Sequence, residues 1–169
     1  MSRTEAASLL VLLGATGDLS QRMLLPSLYS LEAEGLLPPQ LRILGSARSP
    51  LDREGFLRLV TESIGERIPE NERDDGVLHA LLARTEYLGA SVDEAPTMAA
   101  LASRIAQLRR GEVLCHLSTS PRFYGAACAA LAEHGAVGPG MRVMLEKPIG
   151  HDLASATEIN DAVAAVFDE

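Results

Sequence analysis

Residues 9–26 read LLVLLGATGDLSQRMLLP, and this stretch decides the fold. Five apolar residues, Leu9, Leu10, Val11, Leu12 and Leu13, run into Gly14-Ala15-Thr16-Gly17 and then Asp18. Beyond them Leu19, Met23, Leu24 and Leu28 recur at helical spacing. A short apolar run, a glycine break and an immediate helical pattern predict strand, tight loop, helix. The start of such a helix offers unpaired N–H groups and a positive dipole end to a phosphate. Glycines there keep a Cβ out of the way of the approaching group. The spacing is G-x-x-G rather than G-x-G-x-x-G, with Ser20 where a third glycine would fall. The stretch alone therefore fits either a nucleotide-binding turn or a plain βα turn. A Walker-type phosphate loop is disfavoured, because Gly17 is followed by Asp18-Leu19 rather than Lys-Ser/Thr.

The pattern repeats outward from this unit. The first helix is expected over 18–34, with Pro26 marking a kink or a late start and Gly35 as its cap. Further strands are expected over 41–45, 85–88, 112–117 and 141–145. Helices are expected over 52–64, 76–84, 93–110, 121–134 and 152–168. Alternating strands and helices imply a parallel sheet covered on both faces. The expected fold is α/β, a doubly wound, Rossmann-like parallel sheet forming a single dinucleotide-binding domain over 1–169. In such sheets ligands lie outside the carboxyl ends of the strands.

Composition narrows the function classes. The chain has 169 residues, enough for one full core. It is 47% hydrophobic and 22% charged, which is ordinary globular usage. A net charge of −8 argues against a nucleic-acid partner or an anionic membrane surface. No apolar run approaches a membrane span and no signal peptide is evident, so the expected location is the cytoplasm. Cys115 and Cys128 lack metal-ligand spacing and read as buried thiols of a reducing compartment; no metal site is expected. His116 reads as core or core-edge, and His79, His134 and His151 as surface residues. No Tyr is followed four places later by Lys, which removes a short-chain dehydrogenase reading.

The chemistry-bearing residues cluster at strand ends. After the second strand, Ser46-Ala47-Arg48-Ser49 contains no acid. An Asp or Glu there would hold the ribose hydroxyls of NAD, whereas an Arg accommodates the 2′-phosphate of NADP. Arg48 reads as a 2′-phosphate ligand, with Thr16 and Ser49 beside it, or as a solvent-exposed arginine. Lys147 is the single lysine among 15 basic residues. Its place after the last strand, between Glu146 and Pro148, suggests a task for a compact ammonium, against a chance leftover in an arginine-rich chain. A bond to proline can also be cis.

Together these pieces resemble the coenzyme domain of the glucose-6-phosphate dehydrogenase family. They are Gly14-Ala15-Thr16-Gly17-Asp18-Leu19 with Pro26, Gly45-Ser46-Ala47-Arg48, Ser120-Pro121-Arg122-Phe123-Tyr124-Gly125, and Glu146-Lys147-Pro148-Ile149-Gly150 with Asp152-Leu153. The resemblance implies NADP as cofactor and oxidation of a sugar phosphate, glucose 6-phosphate, to its lactone in the oxidative pentose phosphate route. It implies that Gly14, Ala15, Thr16, Gly17, Asp18 and Leu19 line the pyrophosphate and ribose, and that Arg48 grips the 2′-phosphate. Ala90 and Ser91 would flank the adenosine. Ser118, Thr119, Pro121 and Tyr124 would lie along the nicotinamide half. Lys147 would reach both coenzyme and sugar phosphate, across a cis Lys147–Pro148 junction.

Two departures accompany the resemblance. Met23 stands where the family commonly has a basic residue. The family's later substrate domain, with its general-base histidine, has no counterpart here, so no catalytic base is identifiable and the chain alone is expected to be inactive. A stand-alone NADP-binding regulatory module is the second reading. A semialdehyde dehydrogenase ranks last, since Cys115 and Cys128 fall inside expected elements rather than at a turn. The oligomeric state is left open.

Overall fold

A computed structural model describes residues 6–167. Five strands form one parallel sheet in the order β3-β2-β1-β4-β5. They are β1 (Leu9–Leu13), β2 (Arg42–Ala47), β3 (Thr85–Gly89), β4 (Val113–Leu117) and β5 (Met141–Leu145). The chain crosses over between β3 and β4, so β1 and β4 lie side by side while the helices that follow them cover opposite faces of the sheet. This is the point at which a doubly wound sheet opens a crevice.

The apolar run of β1 is explained by burial on both faces. Leu9, Val11 and Leu13 face a cluster with Leu44, Cys115 and Leu117. Leu12 faces the opposite cluster with Ile43, Phe56 and Tyr87. Helices α1 (Leu25–Ala33), α2 (Arg53–Arg67) and α3 (Asp75–Ala83) supply the second cluster. Helices α4 (Ala95–Leu108) and α5 (Tyr124–Glu133) supply the first. The last helix, α6 (Leu153–Ala164), lies against α5, with a Cβ built on Gly125 3.0 Å from Ala162 Cβ.

The elements expected from sequence are present, with shifted ends. The second strand runs to Ala47 rather than ending at 45, because Ser46 and Ala47 remain paired with Leu13, Leu88 and Gly89. Helix α2 starts one residue later than expected, since Asp52 is its cap and accepts from Gly55 N–H at 2.7 Å. The helix expected over 93–110 ends at Leu108, so Gly111 does not terminate it. The helix expected from 121 opens with a single 3₁₀ turn, Pro121–Phe123, before α5. The final helix ends at Ala164; the expected end at Asp168 lies outside the described residues.

The largest difference is in the first helix. It begins at Asp18, but residues Ser20–Leu24 form a π-helical turn ahead of α1. The Leu25 N–H bonds Ser20 O, five residues back. Proline lacks an N–H and its ring clashes with the carbonyl four residues earlier. The widened turn immediately before Pro26 lets the helix continue through it without a break.

Candidate functional site

The crevice at the carboxyl edge of the sheet is a cleft of about 650 Å³. Its floor is the first glycine turn. Gly14 sits at φ +88°, and a Cβ there would lie 2.5 Å from Ser118 O and 2.9 Å from Thr119 Cγ2. Gly14 is thus required by the close approach of the β1 and β4 exit loops, over and above any ligand. Gly17 closes the turn by donating its N–H to Gly14 O at 2.9 Å. Gly14 and Ala15 both donate to Ser46 O, which ties the turn to β2.

Hydroxyl groups lock this junction. Ser118 Oγ donates to Leu13 O at 2.8 Å and lies 3.0 Å from the buried Ser20 Oγ, itself 3.0 Å from Gly14 O. Ser20 therefore stands in the third glycine position because its hydroxyl bridges the β1 turn to the β4 exit. On the other wall Thr16 Oγ1 and Ser49 Oγ are hydrogen-bonded at 2.8 Å. The exit loop of β2 is held from below by Tyr87, whose hydroxyl donates toward Ser49 O at 2.7 Å and Ala47 O at 3.1 Å. Burial raises the Tyr87 phenol above its ordinary value, while the Ala47 hydrogen bond acts in the opposite sense.

The structure brings most expected residues together. Gly14, Thr16 and Gly17 line the floor, and Arg48 and Ser49 line one wall. Ala90 and Ser91 border the same wall, and Ser118 and Thr119 the opposite one. Ala15, Asp18, Leu19, Pro121, Tyr124 and Lys147 are not in the lining. Ala15 is buried in the α1–α2 cluster, and Asp18 is exposed with its carboxylate 3.5 Å from Arg22. Leu19 and Pro121 are partly buried at the starts of their helical turns.

Tyr124 is 1% exposed. Its hydroxyl donates to Glu146 O at 3.2 Å and accepts from Glu146 N–H at 3.3 Å. Glu146 is also held through its side chain, 2.9 Å from His116 Nε2. The core-edge reading of His116 agrees with its 4% exposure. These contacts fix the residue ahead of Lys147, which emerges from β5 at the same sheet edge, exposed and without an ion pair among the described residues. The Lys147–Pro148 bond is cis, as expected.

Several cleft residues escaped the reading of the sequence. Ser46 lies within β2 and Asp93 beyond Ser91, while Arg122 and Phe123 sit on the 3₁₀ turn. Arg122 and Phe123 were within a recognised segment, but no pattern indicates that a 3₁₀ turn points them inward. Ser46 Oγ and Thr119 Oγ1 are buried in the lining without a hydrogen-bond partner. Buried hydroxyls without partners are costly, and a polar ligand would satisfy them. Together with the guanidinium of Arg48, they make the cleft a fit for a dinucleotide.

The cysteines lie apart from the cleft. Burial, and then the neighbouring Cys128, raise the Cys115 thiol far above its ordinary value; burial pushes Cys128 up to about 11. Neither is a thiolate nucleophile, in keeping with the low rank of the semialdehyde dehydrogenase reading. Among the described residues no group of three or more His, Cys, Asp or Glu could hold a metal. Among the described residues no helix is long and apolar enough to cross a membrane.

Comparison with known proteins agrees with this geometry. Residues 11–169 match the family model described as glucose-6-phosphate dehydrogenase, NAD binding domain. The glucose-6-phosphate 1-dehydrogenase of Zymomonas mobilis is 39% identical over 98% of this chain and 34% of its own length. That of Gluconobacter oxydans is 38% identical over 94% of this chain and 33% of its own length. The chain thus spans about a third of the length of these curated relatives. A crystal structure of glucose-6-phosphate 1-dehydrogenase from Mycobacterium avium superposes with a TM-score of 0.87 at 32% identity, covering 97% of this chain and 34% of that one. A glucose-6-phosphate dehydrogenase in complex with its substrate glucose-6-phosphate gives a TM-score of 0.85 at 28% identity, covering 99% and 36%. By sequence and by fold, the chain belongs to the family of glucose-6-phosphate dehydrogenase NAD-binding domains.

Proposed function

We propose that this chain is the coenzyme-binding part of an NADP-dependent glucose-6-phosphate dehydrogenase. The observation that carries the NADP assignment is Arg48 on the cleft wall, in a strand exit without a carboxylate. A guanidinium offers paired donors to a phosphate monoester and none of the acceptors that ribose hydroxyls need. The Thr16–Ser49 pair stands beside it. The first amides of the helix that begins at Asp18 serve the pyrophosphate. Ala90 and Ser91 bound the adenosine side, and Ser118, Thr119, Pro121 and Tyr124 support the nicotinamide side.

When bound, the coenzyme would supply a hydride acceptor for oxidation of the sugar's C1 hydroxyl. The chain's own part is binding and orientation. Lys147, held by the anchored Glu146, contacts the coenzyme and the sugar phosphate. No general base is assigned to these residues, since the buried imidazole of His116 is engaged by Glu146. The chain alone is therefore expected not to turn over glucose 6-phosphate. The two free, buried thiols suit a reducing compartment such as the cytoplasm.

Calorimetric titration of the chain with NADP and NAD, repeated with Arg48→Ala, tests the assignment. NADP should bind more tightly, and the substitution should remove about tenfold or more of that preference. Equal affinities, unchanged in the variant, would refute it.

A further inference from the structure

We infer that Arg122 is a second anion-binding guanidinium of the cleft and shares with Arg48 the discrimination of NADP from NAD. This deepens the coenzyme reading and rests on it. Arg48 and Arg122 come from opposite sides of the crevice, one on the β2 exit and one on the 3₁₀ turn after β4, and both line it. They meet at one aromatic ring. The Arg122 guanidinium carbon is 4.6 Å from the Phe123 centroid, and that of Arg48 is 6.0 Å from the same centroid.

Both residues are exposed, and neither forms an ion pair among the described residues. Five other arginines are ion-paired: Arg22 with Asp18, Arg42 and Arg104 with Glu86, Arg84 with Glu32, Arg142 with Glu112. In a chain of net charge −8, two unpaired guanidiniums at one ring form a local positive site. Asp93 is the acid of the lining; it is exposed and bonded to neither.

The charge of the ligand explains the pair. A phosphate monoester carries between one and a half and two negative charges near neutral pH. One guanidinium leaves much of that charge uncompensated, and two match it. Phe123 holds both cations through its π face, which limits their repulsion in the absence of an anion and keeps their forks at the crevice mouth. The backbone N–H of Phe123 donates to Ser120 O at 2.9 Å, so the main chain that carries the ring is held by the 3₁₀ turn. NAD lacks the phosphate and gains nothing from the second cation.

The test is titration of the chain, wild type, Arg122→Gln, Arg122→Lys and Arg48→Ala, with NADP, NAD and the fragment 2′,5′-ADP. Arg122 is exposed, and circular dichroism verifies that each variant is folded. The expected result is that Arg122→Gln weakens NADP and 2′,5′-ADP by about tenfold while NAD changes less than about twofold. Arg122→Lys should recover part of the loss, because an ammonium keeps the charge without the fork. NADP affinity unchanged in Arg122→Gln, with Arg48→Ala still losing discrimination, overturns the role of Arg122 and leaves the coenzyme reading standing. Equal loss for NADP and NAD in Arg122→Gln also overturns it. No NADP preference in the wild type removes both.

Discussion

Gly14 shows how a single residue can be read correctly for an incomplete reason. The sequence suggests a glycine that clears space for a phosphate. The structure adds a backbone at φ +88° and a phantom Cβ 2.5 Å from a carbonyl oxygen of the neighbouring loop. Gly35 has a similar φ, +67°, but open space around it. Replacing Gly35 by Ala should cost about 1–2 kcal/mol, the left-handed penalty alone. Replacing Gly14 by Ala carries the same penalty plus a clash with backbone, and should cost more, about 3 kcal/mol or above. Urea denaturation of both variants checks the order; equal losses would show that the β1–β4 approach is loose. At this scale Arg48 was legible because a missing acid is visible in the sequence. The direction of Tyr124 was not, since its hydroxyl is consumed by the Glu146 backbone, a partner 22 residues away.

Elements were legible where burial alone shapes them. β1 and β5 match their expected limits, because their apolar runs end where pairing ends. β2 outran its apolar run because pairing with β1 and β3 carries Ser46 and Ala47 along. The π turn before Pro26 left no composition signal, being a change of hydrogen-bond register rather than of residue type. The β2 exit, which presents Arg48, depends on the β3 residue Tyr87. Its ring stacks on Phe56, with centroids 4.7 Å apart, and its hydroxyl serves two carbonyls of the loop. Tyr87→Phe keeps the stack and removes the hydroxyl. We expect a stability loss of about 1 kcal/mol and a several-fold weaker NADP affinity with a smaller effect on NAD. Thermal unfolding with parallel titrations measures both; unaltered coenzyme affinity would mean that the loop holds Arg48 unaided.

At the scale of the molecule, the sheet order and the position of the cleft follow from alternating strands and helices. The arrangement of the cleft's far wall does not, because it is set by contacts between loops distant in sequence. The same burial that makes the core silences four acidic groups. Cys115, Cys128, Tyr87 and Tyr124 are all raised, first by desolvation. Above about pH 9 the unfolded chain releases protons that the folded chain retains, so stability falls with rising pH. A fully buried thiol such as Cys115 contributes a decline of about 1.4 kcal/mol per pH unit. Urea midpoints should therefore drop between pH 8 and pH 10, with the two cysteines inert to a thiol reagent at pH 8 until unfolding. A midpoint that rises with pH, or rapid labelling of the folded chain, would contradict this.

The central claim is that a phosphorylated dinucleotide lies over the β1 turn, in the crevice between the β2 and β4 exits. Amide-resolved magnetic resonance during NADP addition tests it most directly. The account predicts saturable shifts concentrated at Gly14, Thr16, Gly17, Arg48, Ser91 and Thr119, with the α2–α3 face unmoved. Shifts centred elsewhere on the molecule, or none at NADP concentrations that saturate full-length relatives, would contradict it.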